Sequence, residues 1–294
     1  MSDSSKMLTM ADHPRFGPAG VPFAFKSIKA SVEDVPLLLR QEGLDAFEYE
    51  AIYWGMKPQI EKNDAQSLGK SAKENDVWLS LHGSYFVNLC GEKRIVEASK
   101  KRLIASATAA EWMNARVVVF HPGFYGNRPK ELVLKNCLEA LRDLVRSLNG
   151  LKIKEVKIGP ETMGKPSQLG SLDEVLQICE EVEQTQLVID WSHLHARDMG
   201  RFRNVQDFRR VVETVEDRLG TEAARNMHCH FTKIEFTDRG ERRHHSLEEE
   251  RYGPSFAMLA QVIAEFKLRP VIISESPMLD LDAMRMRDIV QSML

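Results

Sequence analysis

The chain repeats one unit: a short run rich in β-branched and aromatic residues, a polar side chain at or just past its end, then a longer stretch with apolar residues at helical spacing. Strand-like runs fall at 15–22, 46–52, 77–81, 116–120, 156–160, 186–189, 227–231 and 270–274. Helix-like stretches fall at 31–41, within 58–75, and at 92–114, 130–148, 171–183, 205–218, 255–266 and 280–293. Strands that alternate with helices pair in parallel through helical crossovers, and a run such as Val117-Val118-Val119-Phe120 suits a strand covered on both faces. Eight such units in 294 residues match the size of a (β/α)₈ barrel. A doubly wound open sheet would place a glycine-rich phosphate loop and a helix start after its first strand. The segment Phe16-Gly17-Pro18-Ala19-Gly20-Val21-Pro22 offers neither. The expected fold is therefore an α/β TIM barrel spanning 14–294 as one catalytic domain, behind a flexible leader at 1–13.

Composition narrows the setting. The 43% hydrophobic and 28% charged residues are those of a globular protein with a sizeable core. No run of about 18 apolar residues is present to span a membrane, and the N-terminus lacks the basic-then-apolar layout of a signal peptide. The four cysteines, Cys90, Cys137, Cys179 and Cys229, are scattered without a CxxC pair. That pattern points to a reducing, cytoplasmic setting and to metal ligands other than thiolate. A net charge of −3 carries no global nucleic-acid signature, so any such partner must be met by local basic clusters.

The chemistry-bearing residues sit where a TIM barrel keeps its active site, at the C-terminal ends of strands. In chain order they are His82, His121, Glu161, Asp190 with His193, His228 with His230, the pair His244-His245, and Glu275. Taken singly, each is as well explained by a hydrogen-bonded core group or a solvated loop residue. A buried carboxylate or imidazole is costly unless paired, so the whole set at one rim reads as convergent nitrogen and oxygen ligands for metal. His228 and His230 are two apart and share a face of their strand. His244 and His245 read as part of a charged loop beyond it.

The order of motifs resembles endonuclease IV, the zinc-dependent apurinic/apyrimidinic endonuclease family of the xylose-isomerase-like barrels. The likeness rests on His82-Gly83-Ser84-Tyr85-Phe86-Val87-Asn88-Leu89, Phe120-His121-Pro122-Gly123, Glu161-Thr162-Met163-Gly164 with Gln168-Leu169-Gly170, Ile189-Asp190 with His193, Met227-His228, His244-His245-Ser246-Leu247 and Ser274-Glu275. The resemblance implies one metal on His82, His121 and Glu161. It implies a second on Glu161, Asp190, His228 and Glu275, with His228 preferred to His230 through its Met-His match. A third would sit on His193 and His244 with an aspartate two residues before the latter. That position is Arg242, so the third site is expected to be weak or absent unless Glu241 or Asp238 reaches it.

The implied reaction is hydrolysis of a DNA phosphodiester 5′ to an abasic site. It would use two or three Zn²⁺, with Mn²⁺ as the alternative, and Glu161 and Glu275 would act as catalytic carboxylates. The implied partner is double-stranded DNA, with Tyr85 and Phe86 wedging into the duplex and Arg201 and Arg243 meeting phosphates from two basic groups, 197–203 and 239–251. The chain is expected to be a monomer with no membrane contact. Two other readings compete: a metal-dependent sugar isomerase or epimerase on the same barrel, and a non-catalytic metal- or DNA-damage-binding protein.

Overall fold

A computed structural model describes residues 11–294. Eight parallel strands form the barrel: β1 (Arg15–Pro18), β2 (Ala46–Glu50), β3 (Trp78–His82), β4 (Val117–Phe120), β5 (Lys157–Pro160), β6 (Val188–Asp190), β7 (His228–Phe231) and β8 (Val271–Ser274). Two four-stranded arcs, β2-β3-β4-β5 and β6-β7-β8-β1, are joined by parallel bridges at Ala19/Glu48 on one side and at Ile158/Thr185 and Glu161/Val188 on the other. The expected (β/α)₈ barrel is thus the fold.

Around the strands run α1 (Val35–Gln41), α2 (Lys62–Glu74), α3 (Lys93–Trp112), α4 (Lys130–Gly150), α5 (Leu172–Glu181), α6 (Val205–Leu219), α7 (Phe256–Glu265) and α8 (Asp280–Gln291). Local chemistry sets several starts. Ser171 accepts from the Glu174 N–H and Asn204 from the Asp207 N–H, each closing a capping box at the head of α5 or α6. The main core lies between strands and helices, from Leu39 and Phe47 to Phe208 and Phe231. Inside the barrel the separate apolar cluster is only Val117, Val119 and Val188. Near the mouth the inner surface is mostly polar, with Ile273 beside His230 as an apolar exception, which shapes everything that follows.

Three local expectations change. The first strand ends at Pro18 rather than 22, because a short helix, Phe23–Ser27, begins behind Pro22. A helix, Trp191–Arg197, starts directly after β6, with the Asp190 carboxylate accepting from the His193 N–H at 2.7 Å as its cap. The charged stretch that reads as a loop is an antiparallel hairpin, Lys233–Thr237 with Gly240–His245. Of the expected leader, 1–10 lie outside the described residues. Ala11 is already buried and His13 bonds Asp45 at 2.7 Å.

Closure between β1 and β2 is tight. A β-carbon at Gly17 would stand 1.7 Å from the Ala46 carbonyl oxygen, a backbone atom that cannot yield without opening the barrel. Gly17→Ala is expected to cost about 3 kcal/mol through overpacking. Gly150→Ala places its methyl in open space at the end of α4 and should leave stability unchanged or slightly raised. Paired thermal melts of the two variants check this.

Candidate metal centre

Strand register sorts the inward-pointing polar residues into two levels. At the upper level Asp190 pairs with His230 and Glu50 with His82; one step deeper Val188 pairs with His228 and Glu48 with Ser80. Successive inward positions differ by about 6–7 Å along a strand, so residues two apart enter the barrel at different heights.

Glu161, just past β5 and fully buried, is the hub of the upper level. Its Oε2 lies 3.0 Å from His121 Nε2 and 3.5 Å from His82 Nε2; its Oε1 lies 3.2 Å from His230 Nδ1 and 3.3 Å from His193 Nδ1. His230 Nδ1 also meets Glu275 Oε1 at 3.1 Å, and Asp190 Oδ2 lies 3.3 Å from His193 Nδ1. Of the two histidines on β7, then, His230 is the one that joins Glu161 and Glu275. His228, preferred from its Met-His match, has its Nε2 on Glu48 Oε2 at 3.1 Å in the deeper level. Depth decides this, and alternation along a strand does not reveal depth.

The hairpin supplies the outer edge. His244 donates through Nδ1 to the Glu275 carbonyl oxygen, 3.1 Å away, and its ring packs near His193. The hairpin register slips between Glu235 and Phe236, whose partners are Arg243 and Glu241, so Arg242 is an extra, bulged residue. Arg242 turns to solvent and bonds Glu235 at 2.8 Å, while Glu241 turns inward to 3.2 Å from His193 Nε2. A carboxylate therefore stands where Arg242 seemed to remove one. Room for it exists because residue 164 is glycine: a β-carbon there would stand 2.0 Å from Glu241 Oε2.

Three ligand groups result, with donor atoms mutually close: His82/His121/Glu161, Glu161/Asp190/His193/Glu275, and His193/His244/Glu275. A fourth, Glu48/His228/His230, lies beneath. His82 Nε2, Glu161 Oε2, Asp190 Oδ2 and Glu241 Oε2, with His230 Nε2 and Glu48 Oε1 beneath them, are buried and meet one another, His121 or His193 as ion pairs without hydrogen-bond geometry, which leaves them open to a cation. Nitrogen and oxygen donors without thiolate suit zinc or manganese; the four cysteines are free, and Cys229 between the two β7 histidines is buried in the outer core.

The electrostatics are those of acids and imidazoles charging one another. Burial opposes charge on His82, but contact with Glu161 and the fields of Glu50, Glu161 and Glu48 push it up to about 10. Burial likewise opposes charge on His193 and His230; nearby carboxylates, Asp190 for the first and Glu48 for the second, drive both well above the usual histidine range. Despite burial, Glu161 is held well below the carboxylate range by His230 and His121, and Glu275 falls to about 2 beside His230. Burial raises Asp190 to about 6 and Glu50, beside β3, to about 7.

The rim is aromatic. Tyr85 and Phe86 follow His82 and are 46% and 59% exposed; Tyr53, unremarked in the sequence, is 72% exposed and meets Tyr85 edge-on. Of the two basic groups, Arg197 is taken up internally, donating to the Met163, Lys165 and Gln168 carbonyls. Arg201 pairs with Asp198 at 2.9 Å, and Arg243 is exposed on the hairpin. Glu48, Glu50 and Tyr53 are the site residues that sequence reading missed. Glu48 and Glu50 alternate with aromatics in Phe47-Glu48-Tyr49-Glu50, the pattern of a strand with one wet face, and only barrel closure turns that face inward.

A family profile described as xylose isomerase-like TIM barrel matches residues 37–290. The chain belongs to this family. Within it the chain is a divergent, endonuclease IV-like member. It is 34% identical over 271 residues to the uncharacterized protein MJ0133 of Methanocaldococcus jannaschii, covering 91% of this chain and 93% of that one. It is 27% identical over 160 residues to a probable endonuclease 4 of Staphylococcus carnosus, a match spanning 53% of this chain and 52% of the relative. Among solved structures, endonuclease IV from Thermus thermophilus superposes with a TM-score of 0.70 at 21% identity, covering 95% of this chain and all of that one. A D-tagatose 3-epimerase-like protein gives 0.64 at 17% identity, covering 90% and 94%. Family membership alone leaves nuclease and epimerase chemistry both open.

Two outcomes follow from the geometry. Glu241→Gln should weaken binding of the ion nearest His193 and His244 at least tenfold, about 1.4 kcal/mol, while Arg242→Ala should leave it unchanged. Calorimetric titration of zinc into the chelator-treated variants reads both, and the reverse ranking would remove Glu241 from the centre. In the metal-free protein, raised histidines such as His82 give stability that is full below their unfolded value of 6.5 and is lost as pH rises through about 10. Metal displaces those protons, so melts from pH 6.5 to 10 should fall more steeply without zinc than with it, and zinc titrated at pH 7.5 should release protons.

Proposed function

We propose that the chain is a metal-dependent phosphodiester hydrolase that cuts DNA 5′ to abasic sites. The observation that carries this reading is the string of three ligand groups along the mouth, sharing Glu161, His193 and Glu275. Epimerisation at a single carbon can proceed at one cation. The middle group with His230 would hold one, leaving the outer groups without a use. Phosphodiester hydrolysis uses several, because attacking, bridging and leaving oxygens all carry charge.

His82, His121 and Glu161 would hold one ion; Glu161, Asp190, His230 and Glu275 a second; His193, His244 and Glu241 a third. Zinc bound there would lower the pKa of a water toward neutrality and offset charge on the scissile phosphate. Glu161, held ionised by His230 and His121, spans the first two groups with its two oxygens. Glu275 stays ionised at the mouth and can accept a hydrogen bond from an incoming water, orienting it toward the phosphorus. Tyr85, stacked with His121, offers a flat face beside the centre, with Tyr53 edge-on to it and Phe86 exposed next to it in the chain. An abasic nucleotide has no base to unstack, so extruding it toward such a rim costs less than flipping an intact one. With a net charge of −3, phosphate binding must come locally, from Arg243 and the other exposed cations of the mouth.

Incision of a duplex carrying one abasic analogue tests the proposal. Chelator-sensitive cleavage 5′ to the lesion is expected, falling by about three orders of magnitude, some 4 kcal/mol of barrier, in Glu161→Gln. Phe86→Ala should instead raise KM by about tenfold, with kcat little changed, through loss of stacking. No incision by the zinc-loaded protein, together with turnover of a ketose using one bound ion, would assign the chain to the sugar epimerases instead.

A further inference from the structure

Beneath the upper level lies a buried polar layer that the proposed chemistry does not use. Glu48, fully buried on β2, accepts from Ser80 Oγ at 2.7 Å and lies 3.1 Å from His228 Nε2, both through Oε2. Its other oxygen, Oε1, lies 3.0 Å from His230 Nε2. Ser80, His228 and His230 are all 3% exposed or less. A carboxylate placed this deep, with no cationic side chain beside it other than histidine, is expensive unless it has a task.

The way four of the upper histidines are held suggests that task. His82 puts Nδ1 on the Gly83 carbonyl, His193 on the Thr162 carbonyl and His244 on the Glu275 carbonyl, at 2.9–3.1 Å. A carbonyl oxygen only accepts, so in all three Nδ1 carries the proton and Nε2 is left for a cation. His230 is reversed: Nε2 points down to a carboxylate and Nδ1 points up between Glu161 and Glu275. A hydrogen-bond acceptor behind a ligating imidazole fixes its tautomer and ring angle, and an ionised acceptor also makes the ligating nitrogen more basic.

We infer that Glu48 is the positioning residue of the centre: by its ion pair with His230 Nε2 it fixes His230 as an Nδ1 ligand, with Ser80 and His228 bracing its second oxygen. This rests on the reading of the upper level as a metal centre. His228 is then a brace for Glu48 rather than a ligand. Among the histidines of the upper groups, His230 has the carboxylate backing while His82, His193 and His244 lean on backbone carbonyls.

The test is metal binding, read apart from any nuclease activity. Cobalt(II) is titrated into chelator-treated wild type, Glu48→Gln, Glu48→Leu and Ser80→Ala, following visible absorption and affinity against a competing chelator. In Glu48→Gln the amide oxygen can still accept from His230, so a loss of severalfold is expected. Glu48→Leu removes the acceptor and should weaken one ion by 10–100-fold and shift its absorption bands, with the number of ions per chain unchanged. Ser80→Ala should produce a smaller shift in the same direction. Should the leucine variant not fold, the shifted spectrum and weakened affinity of the glutamine variant carry the same information. Wild-type affinity and spectrum in both Glu48 variants would overturn the inference. So would loss of one whole ion with the others unaltered, since Glu48 would then be a ligand itself. Failure of the wild type to take up any cobalt or zinc would instead overturn the metal-centre reading from which this one starts.

Discussion

A single fully buried carboxylate, Glu161, lies within 3.0–3.5 Å of four imidazoles, and the rest of the molecule is arranged around keeping it there. An unpaired carboxylate at that depth costs several kcal/mol. Its partners come from four separate places: His82 ends β3, His121 follows β4, His193 rides on the helix behind β6 and His230 lies near the end of β7. Only a closed barrel brings these together. Closure is made beside Glu161 itself, at the Glu161/Val188 bridge, so the bond that completes the barrel also seats the hub. Glycines serve the same end, Gly17 by admitting the Ala46 backbone and Gly164 by admitting Glu241.

That arrangement divides labour between two cores. The outer one, between strands and helices, is continuous and apolar and supplies the burial that holds the fold. The inner one has an apolar cluster of three valines, adds Val271 and Ile273 from β8, and is otherwise given largely to acids, imidazoles and serines. In a barrel whose interior only needed filling, branched aliphatics would occupy those levels. Surplus polar groups inside the strands are a stability cost borne by the outer core, as expected where a site is built for chemistry rather than for packing. Mutual charging between carboxylates and histidines offsets part of that cost, and a divalent cation would replace the protons that do so.

How much of this the sequence discloses follows from what each kind of pattern encodes. Strand and helix periods encode which face is buried, so the eight units and the rim of His82, His121, Glu161, Asp190 and Glu275 are legible. Depth inside a barrel is not encoded by alternation, because both interior levels and a solvent-facing side share the same period of two. His228 and His230 are therefore indistinguishable until the Asp190/His230 register is known. Glu48 and Glu50 hide for the same reason, looking like the wet face of an edge strand. Arg197 sits in a basic run that invites a phosphate. Its guanidinium instead ties three carbonyls of the 163–168 loop, a use that only the folded chain displays.

Arg242 shows why motif comparison has to be made in structural register. In a regular hairpin the side chains at 242 and 244 share a face, so an arginine two residues before His244 would bring a cation into the centre. One extra residue in that strand reverses the facing of everything beyond it. Here the slip between Glu235 and Phe236 sends Arg242 to solvent and turns Glu241 inward. Position-by-position reading therefore finds no carboxylate two residues before His244, while the hairpin brings one in three residues before it, beside His193. The bulge also leaves Arg242 and Arg243 adjacent and exposed on the hairpin, with their positive charge turned away from Glu241 and His193. One irregularity in strand pairing thus sets the sign of charge on both faces of the hairpin.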